Sequence, residues 1–385
     1  MNPVYATMAT TIFEEMSGLA RETGAINLGQ GFPDSPGPQE LLRAAAEAVL
    51  AGPNQYPPSA GLPVLREAAA DYYRRFQSLD LAARDVLVTS GATEAIAATL
   101  LAIVSDGDEV ILLEPMYDAY RPLVQRAGGV ARAVTMRPPD WRLPIDAIAA
   151  AIGPRTRAIV LNNPNNPIGR VFSRAELEAL AELCVTHDLI AICDEVWEHL
   201  VFDGRAHVPM IALPGMAERA VKIGSAGKIF GLTGWKIGFI AAAPRLLQPI
   251  TRAHQFLTFT TPPNLQIAVA HGLGLDDAFF ARSRAAFQAS RDYLGALLAE
   301  AGFTVLPGEG TYFLTVDLAA SGVSGDDDTL ARRILHEAGV ASIPLSPFYM
   351  SDDTPAGLIR LCFAKPDAVL ADAAARLGAW LAAQR

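Results

Sequence analysis

The sequence predicts an α/β protein with a mainly parallel central sheet, together with a smaller α+β domain that both ends of the chain build. In the middle of the chain, short runs of β-branched residues alternate with segments whose apolar residues recur at helical spacing. Such alternation is typical of βαβ units, whose strands run parallel. After about residue 276 the pattern changes to long amphipathic helices. We therefore predict a large domain over 52–274 and a small domain over 1–51 and 275–385.

The composition excludes several classes of function. The chain has 385 residues, enough for two domains, and 51% of them are hydrophobic, as in globular proteins. Its net charge of -10 argues against nucleic acid or an anionic membrane as a partner. An anionic substrate stays possible, because a few local cations can dominate a pocket. No segment reaches the roughly 18 apolar residues that a membrane span needs.

Cysteine usage points to a reducing compartment. Cys184, Cys193 and Cys362 are scattered in apolar runs, so we expect buried, reduced thiols and no metal site. Glu14 and Glu15 come early, and no long apolar core precedes them, which argues against a secretory signal. The expected location is cytoplasmic.

The individual elements follow from periodicity and from capping residues. Apolar residues recur at helical spacing over 10–21, and Ser173 with Glu176 is typical of a capping box. Further helices are predicted over 39–50 and 144–152. Strands are predicted from Asp85 and over 109–113, 129–131, 158–161, 189–193, 220–224, 310–317 and 358–365. Loops are predicted over 225–238 and 254–263, with an acidic solvated loop over 324–328.

A stretch rich in small residues, 225–238, follows the strand over 220–224 and contains Lys228 and Lys236. Its glycines favour a loop rather than a helix and let the backbone approach a ligand. A desolvated lysine there has a lowered pKa and attacks carbonyl groups. A solvated loop lysine explains the same short pattern equally well, so the other motifs decide.

Those motifs stand at the carboxyl ends of predicted strands, where ligands of parallel sheets bind. Ala92 and Thr93 open a helix whose free N–H groups suit a phosphate, although an ordinary strand–turn–helix looks the same. Tyr117 can stack on a flat ring or belong to the core. Asp194 ends an apolar strand, where a carboxylate is costly without a cation. A metal site or an exposed acid pair is the alternative, but no histidine lies at ligand spacing with Asp194.

Two polar residues are fixed by unusual surroundings. Asn166 lies in the turn 162–169, where two Asn-Pro pairs and a glycine fix an amide side chain in place. A turn formed for its own backbone preferences is the other interpretation. Arg360 lies inside an apolar strand, where a guanidinium needs an anion, either a ligand carboxylate or an internal acid. We favour the ligand.

Taken in order, the motifs from 27–34 to 359–365 make the chain resemble the class I/II aminotransferases that use pyridoxal phosphate. The resemblance is strongest to methionine, glutamine and kynurenine aminotransferases. It implies fold type I, with a seven-stranded sheet in the large domain. It also implies pyridoxal 5′-phosphate as cofactor and a homodimer.

The resemblance assigns roles to particular positions. Lys228 is the catalytic residue and holds the cofactor as an imine, Asp194 binds its ring nitrogen, and Tyr56 comes from the neighbouring subunit. The other expected cofactor-binding residues are Gly91, Ala92, Thr93, Tyr117, Asn166, Val196, Trp197, Ser225 and Lys236. The expected substrate-binding residues are Gly31, Asn166, Phe259 and Arg360, with Arg360 on the α-carboxylate and Phe259 in the neighbouring pocket.

One position departs from the family. Trp197 stands where the family usually has a tyrosine that donates to the 3′-oxygen of the cofactor. An indole has a single N–H donor on a larger ring, so it either reaches that oxygen or leaves it to Asn166. In the second case we expect the imine to hold its proton more tightly than in a Trp197→Tyr variant.

The activity that the resemblance implies is transamination between an L-amino acid and a 2-oxo acid. No second arginine can be placed in a motif for a distal carboxylate, which favours a neutral, large or sulfur-containing donor, methionine-like or aromatic. A cysteine-conjugate β-lyase is the alternative on the same cofactor. A non-catalytic ligand-binding regulator is a further alternative, although no segment suits DNA binding and Lys228 is present.

Overall fold

The predicted α/β fold with a mainly parallel sheet is confirmed. A computed structural model describes residues 1–6, 8–351 and 354–384. The strands are β1 Ile26–Asn27, β2 Val86–Thr89, β3 Glu109–Glu114, β4 Val130–Thr135, β5 Thr156–Asn162, β6 Ile190–Asp194, β7 Ala220–Ser225, β8 Gly238–Ala242, β9 Thr304–Val305, β10 Phe313–Asp317, β11 Val340–Ala341, β12 Ile343–Pro344 and β13 Leu358–Cys362.

Helices cover the sheet and link its strands. They are α1 Pro3–Ala6, α2 Ile12–Thr23, α3 Gln39–Ala51, α4 Pro63–Gln77, α5 Gly91–Ile103, α6 Tyr120–Arg126, α7 Ile145–Ala151, α8 Arg174–Thr186, α9 Ala226–Ile229, α10 Pro244–Leu257, α11 Pro263–Leu273, α12 Asp277–Glu300, α13 Asp327–Ala338 and α14 Asp367–Ala383. No helix in the described part of the chain is both long and apolar enough to cross a membrane.

The large sheet has the order β2-β8-β7-β6-β5-β3-β4. β8 runs antiparallel to both neighbours, while the other neighbouring pairs run parallel. β5 and β6 are buried along most of their length, because helices pack on both faces of a parallel sheet. The core therefore lies within this sheet and against its helices.

Strands near the two ends of the chain form two smaller sheets. β12, β13, β10 and β9 make a four-stranded antiparallel sheet, and β1 pairs in parallel with β11. The first strand of the chain thus joins a strand from the last fifth of it. The predicted domain boundaries at 51/52 and 274/275 remain a prediction.

The register of the parallel strands brings polar residues to one edge of the large sheet. Asn162, the last residue of β5, pairs with Asp194, the last residue of β6, and Asp194 in turn pairs with Ile223 of β7. Since β7 ends two residues later, at Ser225, the side chains that follow these three strands lie close together.

Three loop predictions are wrong in part. Lys228 lies in the one-turn helix α9, and residues 254–257 continue helix α10. In the acidic run 324–328, residues 324–326 are exposed and precede the helix, but Asp326 caps α13 and Asp327 is buried at its start. Asp327 accepts a hydrogen bond from the N–H of Ser346 at 2.7 Å, a contact between distant segments. Glycines and acidic residues signal a break in sequence, but tertiary contacts decide whether helix resumes.

A buried group of charges ties the end of β6 to β7. Lys222 on β7 is fully buried and its ammonium contacts the carboxylates of Glu195 and Glu198. His207 lies 2.9 Å from Glu195, and the amide of Gln77 donates to Glu198 at 2.6 Å. The lysine supplies a cation to both carboxylates, of which Glu195 lies within the segment 194–197 and Glu198 directly follows it.

Replacing Lys222 with Met should lower the free energy of unfolding by about 3–5 kcal/mol, because it leaves two carboxylates buried without a cation. Urea unfolding of cofactor-loaded protein at fixed concentration measures this change. The control is Arg174→Met, since Arg174 pairs with Glu178 at an exposed site and should change stability by less than about 0.5 kcal/mol. Equal losses in both variants would contradict the prediction.

Candidate active site

A cavity of about 490 Å³ opens at the carboxyl edge of the large sheet. Most of the predicted site residues line it, from the sheet, from α5, from the segment after α9 and from β13. These residues are Gly31, Gly91, Ala92, Thr93, Tyr117, Asn166, Asp194, Val196, Trp197, Ser225, Lys228, Lys236 and Arg360. Residues far apart in sequence thus face one enclosed volume.

The amine of Lys228 is held in a nearly dry environment. Burial, together with the nearby cation of Arg360, lowers the pKa of Lys228 to about 8. Its Nζ donates to the hydroxyl of Tyr312 at 3.1 Å and lies 4.7 Å from the ring centre of Trp197. The hydroxyl of Tyr312 in turn donates to the carbonyl of Gly31. Roughly a tenth of Lys228 is therefore an uncharged, nucleophilic amine at pH 7, against less than about a thousandth of an ordinary lysine.

Asp194 is a buried carboxylate at the end of β6. It accepts a hydrogen bond from the hydroxyl of Tyr120 at 2.5 Å and a longer one from the N–H of Val196 at 3.4 Å. Burial raises the pKa of Asp194 to about 6, even though these hydrogen bonds favour the charged form. A cationic ligand group beside Asp194 would relieve this cost.

One end of the cavity has the features of a phosphate site. Helix α5 begins at Gly91, whose φ of 77° suits glycine and leaves its backbone open to the cavity. A Cβ on Gly91 would lie 3.2 Å from Nζ of Lys236, so this cation stands over the helix N-terminus. Ser225 and Thr233 line the same cavity with hydroxyl groups. Free N–H groups, a helix dipole and a cation together favour an anion.

Arg360 is a guanidinium buried without a carboxylate in hydrogen-bond contact. It donates to Oδ1 of Asn166 at 2.7 Å and to the carbonyl of Gly29 at 2.9 Å, while its Nε has no partner in the described part of the chain. Phe313 packs 3.8 Å from its Cζ. Burial lowers the pKa of Arg360 to about 10. An anion entering the cavity would satisfy this group.

Asn166 is oriented by its own turn. Its N–H donates to Oδ1 of Asn162 at 2.7 Å, and the amide of Asn162 donates to the carbonyl of Asp194 at 2.8 Å. The turn that the Asn-Pro pairs form is therefore tied directly to the strand that ends in Asp194.

Tyr56 and Phe259 do not line this cavity. Tyr56 is 84% exposed and Phe259 40% exposed, and their rings pack edge to face at 5.4 Å. They form a small aromatic surface patch on the protomer. The roles predicted for them lie in the pocket of a neighbouring subunit, and these roles stay a prediction.

With this geometry in place, comparison with known proteins identifies the family. Residues 23–377 match the model of the family described as aminotransferase class I and II. The chain belongs to this family. Its members use pyridoxal 5′-phosphate, and the resemblance inferred from the motifs is confirmed.

Similar proteins include aminotransferases with different named substrates. A probable N-succinyldiaminopimelate aminotransferase of Mycobacterium tuberculosis is 45% identical, and the alignment covers 96% of each chain. The methionine aminotransferase of Escherichia coli is 41% identical, again over 96% of each chain. The solved structure of the N-succinyldiaminopimelate aminotransferase from M. tuberculosis has a TM-score of 0.95 at 44% identity, covering 98% of this chain and 99% of that chain.

The cavity of this aminotransferase fits pyridoxal phosphate in three independent places. The start of α5 with Lys236 suits the phosphate, and the buried Asp194 suits a protonated ring nitrogen. Lys228 provides an amine whose lowered pKa favours reaction with an aldehyde. The register of β5, β6 and β7 places the ends of these strands side by side, which brings Asp194 close to the segment that carries Lys228.

Several residues in this aminotransferase site carry no motif. Tyr120 contacts Asp194, and Tyr312 contacts Lys228. The rings of Phe13 and Phe313 pack near Arg360. Tyr120 follows the predicted Tyr117 by three residues and begins helix α6, and this proximity is its one sequence signal. Arg21 of helix α2 also lines the cavity, so a second arginine is present where the motifs gave none.

The lowered pKa of Lys228 predicts how its reactivity depends on pH in cofactor-free protein. Only the uncharged amine reacts with trinitrobenzenesulfonate, so labelling of Lys228 should rise with pH and reach half its maximum near pH 8. Mass spectrometry of the labelled peptides measures this, with a one-lysine standard peptide as control. A midpoint for Lys228 equal to that of the standard would contradict the prediction.

Proposed function

We propose that this aminotransferase moves the amino group of an L-amino acid with a large, neutral side chain, methionine-like or aromatic, to a 2-oxo acid. The observation that carries the proposal is the convergence of Lys228, Asp194 and Arg360 in one cavity. Each of these buried charges is costly alone, and a cofactor together with an amino acid would satisfy all three. The cytoplasmic location remains part of the proposal.

Arg360 binds the α-carboxylate of the donor in this proposal. Its Nε lacks a partner, and its contact with Asn166 orients the guanidinium toward the cavity. A bidentate pair with a carboxylate fixes both the position and the direction of the bound amino acid. Phe313 against the guanidinium limits its movement and excludes water from one face. The donor's α-carbon is thereby directed toward Lys228.

Lys228 is the residue that holds and moves the proton. When bound, pyridoxal phosphate supplies the aldehyde that exchanges the amino group and the electron-withdrawing ring that acidifies the α-C–H bond. An amine with a pKa of about 8 both accepts a proton from carbon and releases it again near neutral pH. Tyr312, hydrogen-bonded to Nζ, keeps the amine over the cavity.

Asp194 keeps the ring nitrogen protonated, and Tyr120 fixes the carboxylate that does so. The phosphate is held by the N–H groups of residues 91–93, by Ser225 and by Lys236. Tyr117 and Val196 cover the two faces of the ring, while Asn166 and Trp197 stand by its 3′-oxygen. These roles combine the family pattern with the lining of the cavity.

The size and character of the walls support a large, neutral donor. Phe13, Phe32, Ile96 and Trp197 line the cavity with apolar surface. Relatives named for methionine and for kynurenine, whose side chains are uncharged or aromatic, agree with this choice. N-succinyldiaminopimelate, named for another relative, belongs in the same donor panel.

An absorption experiment tests the reaction and its lysine together. Purified protein with pyridoxal phosphate should show a cofactor band that L-methionine shifts within seconds to the amine form of the cofactor, while 2-oxo acid restores it. In Lys228→Ala the shift should slow by about 10³-fold or more, because general acid–base catalysis is lost. Lys365→Ala, which alters a lysine that pairs with Asp34 outside the cavity, is the control.

Two results would contradict the proposed activity. An unshifted band with every donor in the panel would remove transamination. Release of ammonia and pyruvate from a cysteine S-conjugate, with no amino transfer to a 2-oxo acid, would favour the β-lyase instead.

The proposed active unit is a homodimer in which Tyr56 and Phe259 enter the partner's cavity. The support is the exposed aromatic patch that these two residues form, together with the family pattern. Tyr56 then donates its hydroxyl to the phosphate of the other subunit's cofactor.

A hybrid dimer tests this crossing. One subunit carries Lys228→Ala and the other Tyr56→Ala, so a crossing tyrosine leaves one site with both residues native and one site with neither. Hybrids should then have about half the activity of wild type, because one of their two sites is native. That native site should also bind the cofactor with wild-type affinity. The Tyr56→Ala homodimer is the control. Hybrid activity at or below half that of this homodimer would show that Tyr56 serves its own subunit.

A further inference from the structure

His254 of helix α10 does not line the cavity, but it joins three segments that surround the phosphate site. Its side chain is fully buried, and both of its ring nitrogens face oxygen atoms. Nδ1 lies 3.0 and 3.1 Å from the two carboxylate oxygens of Glu94 on α5, and Nε2 lies 2.9 Å from the carbonyl oxygen of Ser59. A neutral imidazole has a single N–H, so only the imidazolium donates to both acceptors.

Glu94 is the charged group that faces His254 in the described part of the chain. Helix α10 packs against α5, β2 and β8, and neither strand carries an ionisable side chain. The loop 57–61 carries none either, Arg252 on α10 itself is exposed, and Thr258 adds a hydroxyl 3.5 Å from Nδ1. Burial alone would lower the pKa of His254, but the hydrogen bond and the charge of Glu94 outweigh it and raise this pKa.

Glu94 connects the imidazolium to the phosphate site. Its Oε2 also accepts a hydrogen bond at 3.0 Å from the N–H of Ser90, the residue directly before α5. Residues 91–93, whose N–H groups suit the phosphate, follow at once. A carboxylate so close to this site would repel an anion if it were left without a cation. His254 supplies that cation from the side of Glu94 that faces away from Ser90.

His254 also holds the aromatic surface patch formed by Tyr56 and Phe259. Ser59, which accepts the hydrogen bond from Nε2, lies three residues after Tyr56 in the same loop. The backbone carbonyl of His254 accepts from the N–H of Phe259 at 3.3 Å. Phe259 has a φ of 65°, which is uncommon for a bulky residue and needs such support. Both rings of the patch are therefore tied to His254.

We propose that His254, as an imidazolium, is a positioning residue for the cofactor phosphate in both subunits of the dimer. Through Glu94 it serves the site of its own subunit, and through Ser59 it holds Tyr56 in place for the site of the partner. The inference rests on the proposed function, which puts the phosphate at the start of α5 and takes Tyr56 across to the partner. Deprotonation leaves Glu94 uncompensated and removes one of the two donors, so affinity for the phosphate is retained at low pH and lost as the pH rises.

The binding of pyridoxal phosphate and of pyridoxal to cofactor-free protein tests this role, because the two compounds differ only in the phosphate. Titration of the cofactor band at pH 7 gives both dissociation constants. In His254→Gln the Kd for pyridoxal phosphate should rise roughly 10- to 50-fold, the effect of one charge-assisted hydrogen bond, while the Kd for pyridoxal should change less than about 2-fold. His336→Gln, at an exposed site on α13, is the control and should change neither constant.

The pH profile separates the charge of His254 from its shape. The readout is the Kd for pyridoxal divided by the Kd for pyridoxal phosphate, which measures the contribution of the phosphate alone. In wild type this ratio should fall as the pH rises above about 7, since the ordinary histidine pKa is near 6.5 and that of His254 is raised. In His254→Gln this fall should be absent.

Two further variants separate positioning from general damage. Adding Glu94→Gln to His254→Gln removes the uncompensated carboxylate, so the double variant should bind pyridoxal phosphate more tightly than His254→Gln alone. In a Tyr56→Ala background, His254→Gln should raise the Kd by a smaller factor than in wild type, because the part transmitted through Tyr56 is already lost.

The outcomes distinguish this inference from the proposed function. Equal rises in both dissociation constants in His254→Gln, or no rise in either, overturn the role of His254. A double variant that binds no better than His254→Gln overturns the compensation of Glu94. Wild-type protein that binds pyridoxal phosphate but transaminates no donor overturns the proposed activity alone, because the dissociation constants are measured without a donor.

Discussion

The burial of charge at the carboxyl edge of the parallel sheet is the constraint on which this structure depends. Lys228, Asp194 and Arg360 lie in one cavity, and burial shifts the pKa of each in the direction that favours its uncharged form. A folded protein retains such groups only where other interactions compensate. Tyr312, Tyr120 and Asn166 supply hydrogen bonds that hold the three groups without neutralising them. These groups in the cavity thus lack partners of opposite charge, which a cofactor and an amino acid supply.

The buried charges of Lys222, Glu195 and Glu198, outside the cavity, are instead paired with one another. Lys222 contacts Glu195 and Glu198 directly, so these carboxylates meet their cation within the protein. Glu195 directly follows Asp194 in the chain. The contrast indicates two separate roles. The ion-paired group around Lys222 fixes the end of β6, and the unpaired groups in the cavity perform the chemistry. The pair between Arg21 and Glu14 is a third case, since both side chains are exposed and the pair is weak.

Sequence patterns work well here where a residue must meet a local demand of the backbone. Lys228, Asp194 and Asn166 were predicted because strand ends and Asn-Pro turns restrict what can stand there, and all three line the cavity. The same reasoning failed for part of 225–238, where residues 226–229 form a helical turn, since a glycine-rich segment leaves both loop and helical turn open. It failed for Asp327 because the N–H of Ser346, which pays for that burial, lies nineteen residues away.

The sequence by itself determined the fold class, the strand ends that bear the site and the lysine at its centre. Only the tertiary structure decided which partners those residues meet. Tyr120 and Asp194 are 74 residues apart, Lys228 and Tyr312 are 84, and no local rule relates them. The structure likewise brought Arg21 to the cavity, because helix α2 packs against α13 and against strands β1, β11 and β12 of the smaller sheets. Side-chain contacts over such separations depend on how elements pack, whereas strand and turn preferences depend on neighbouring residues alone.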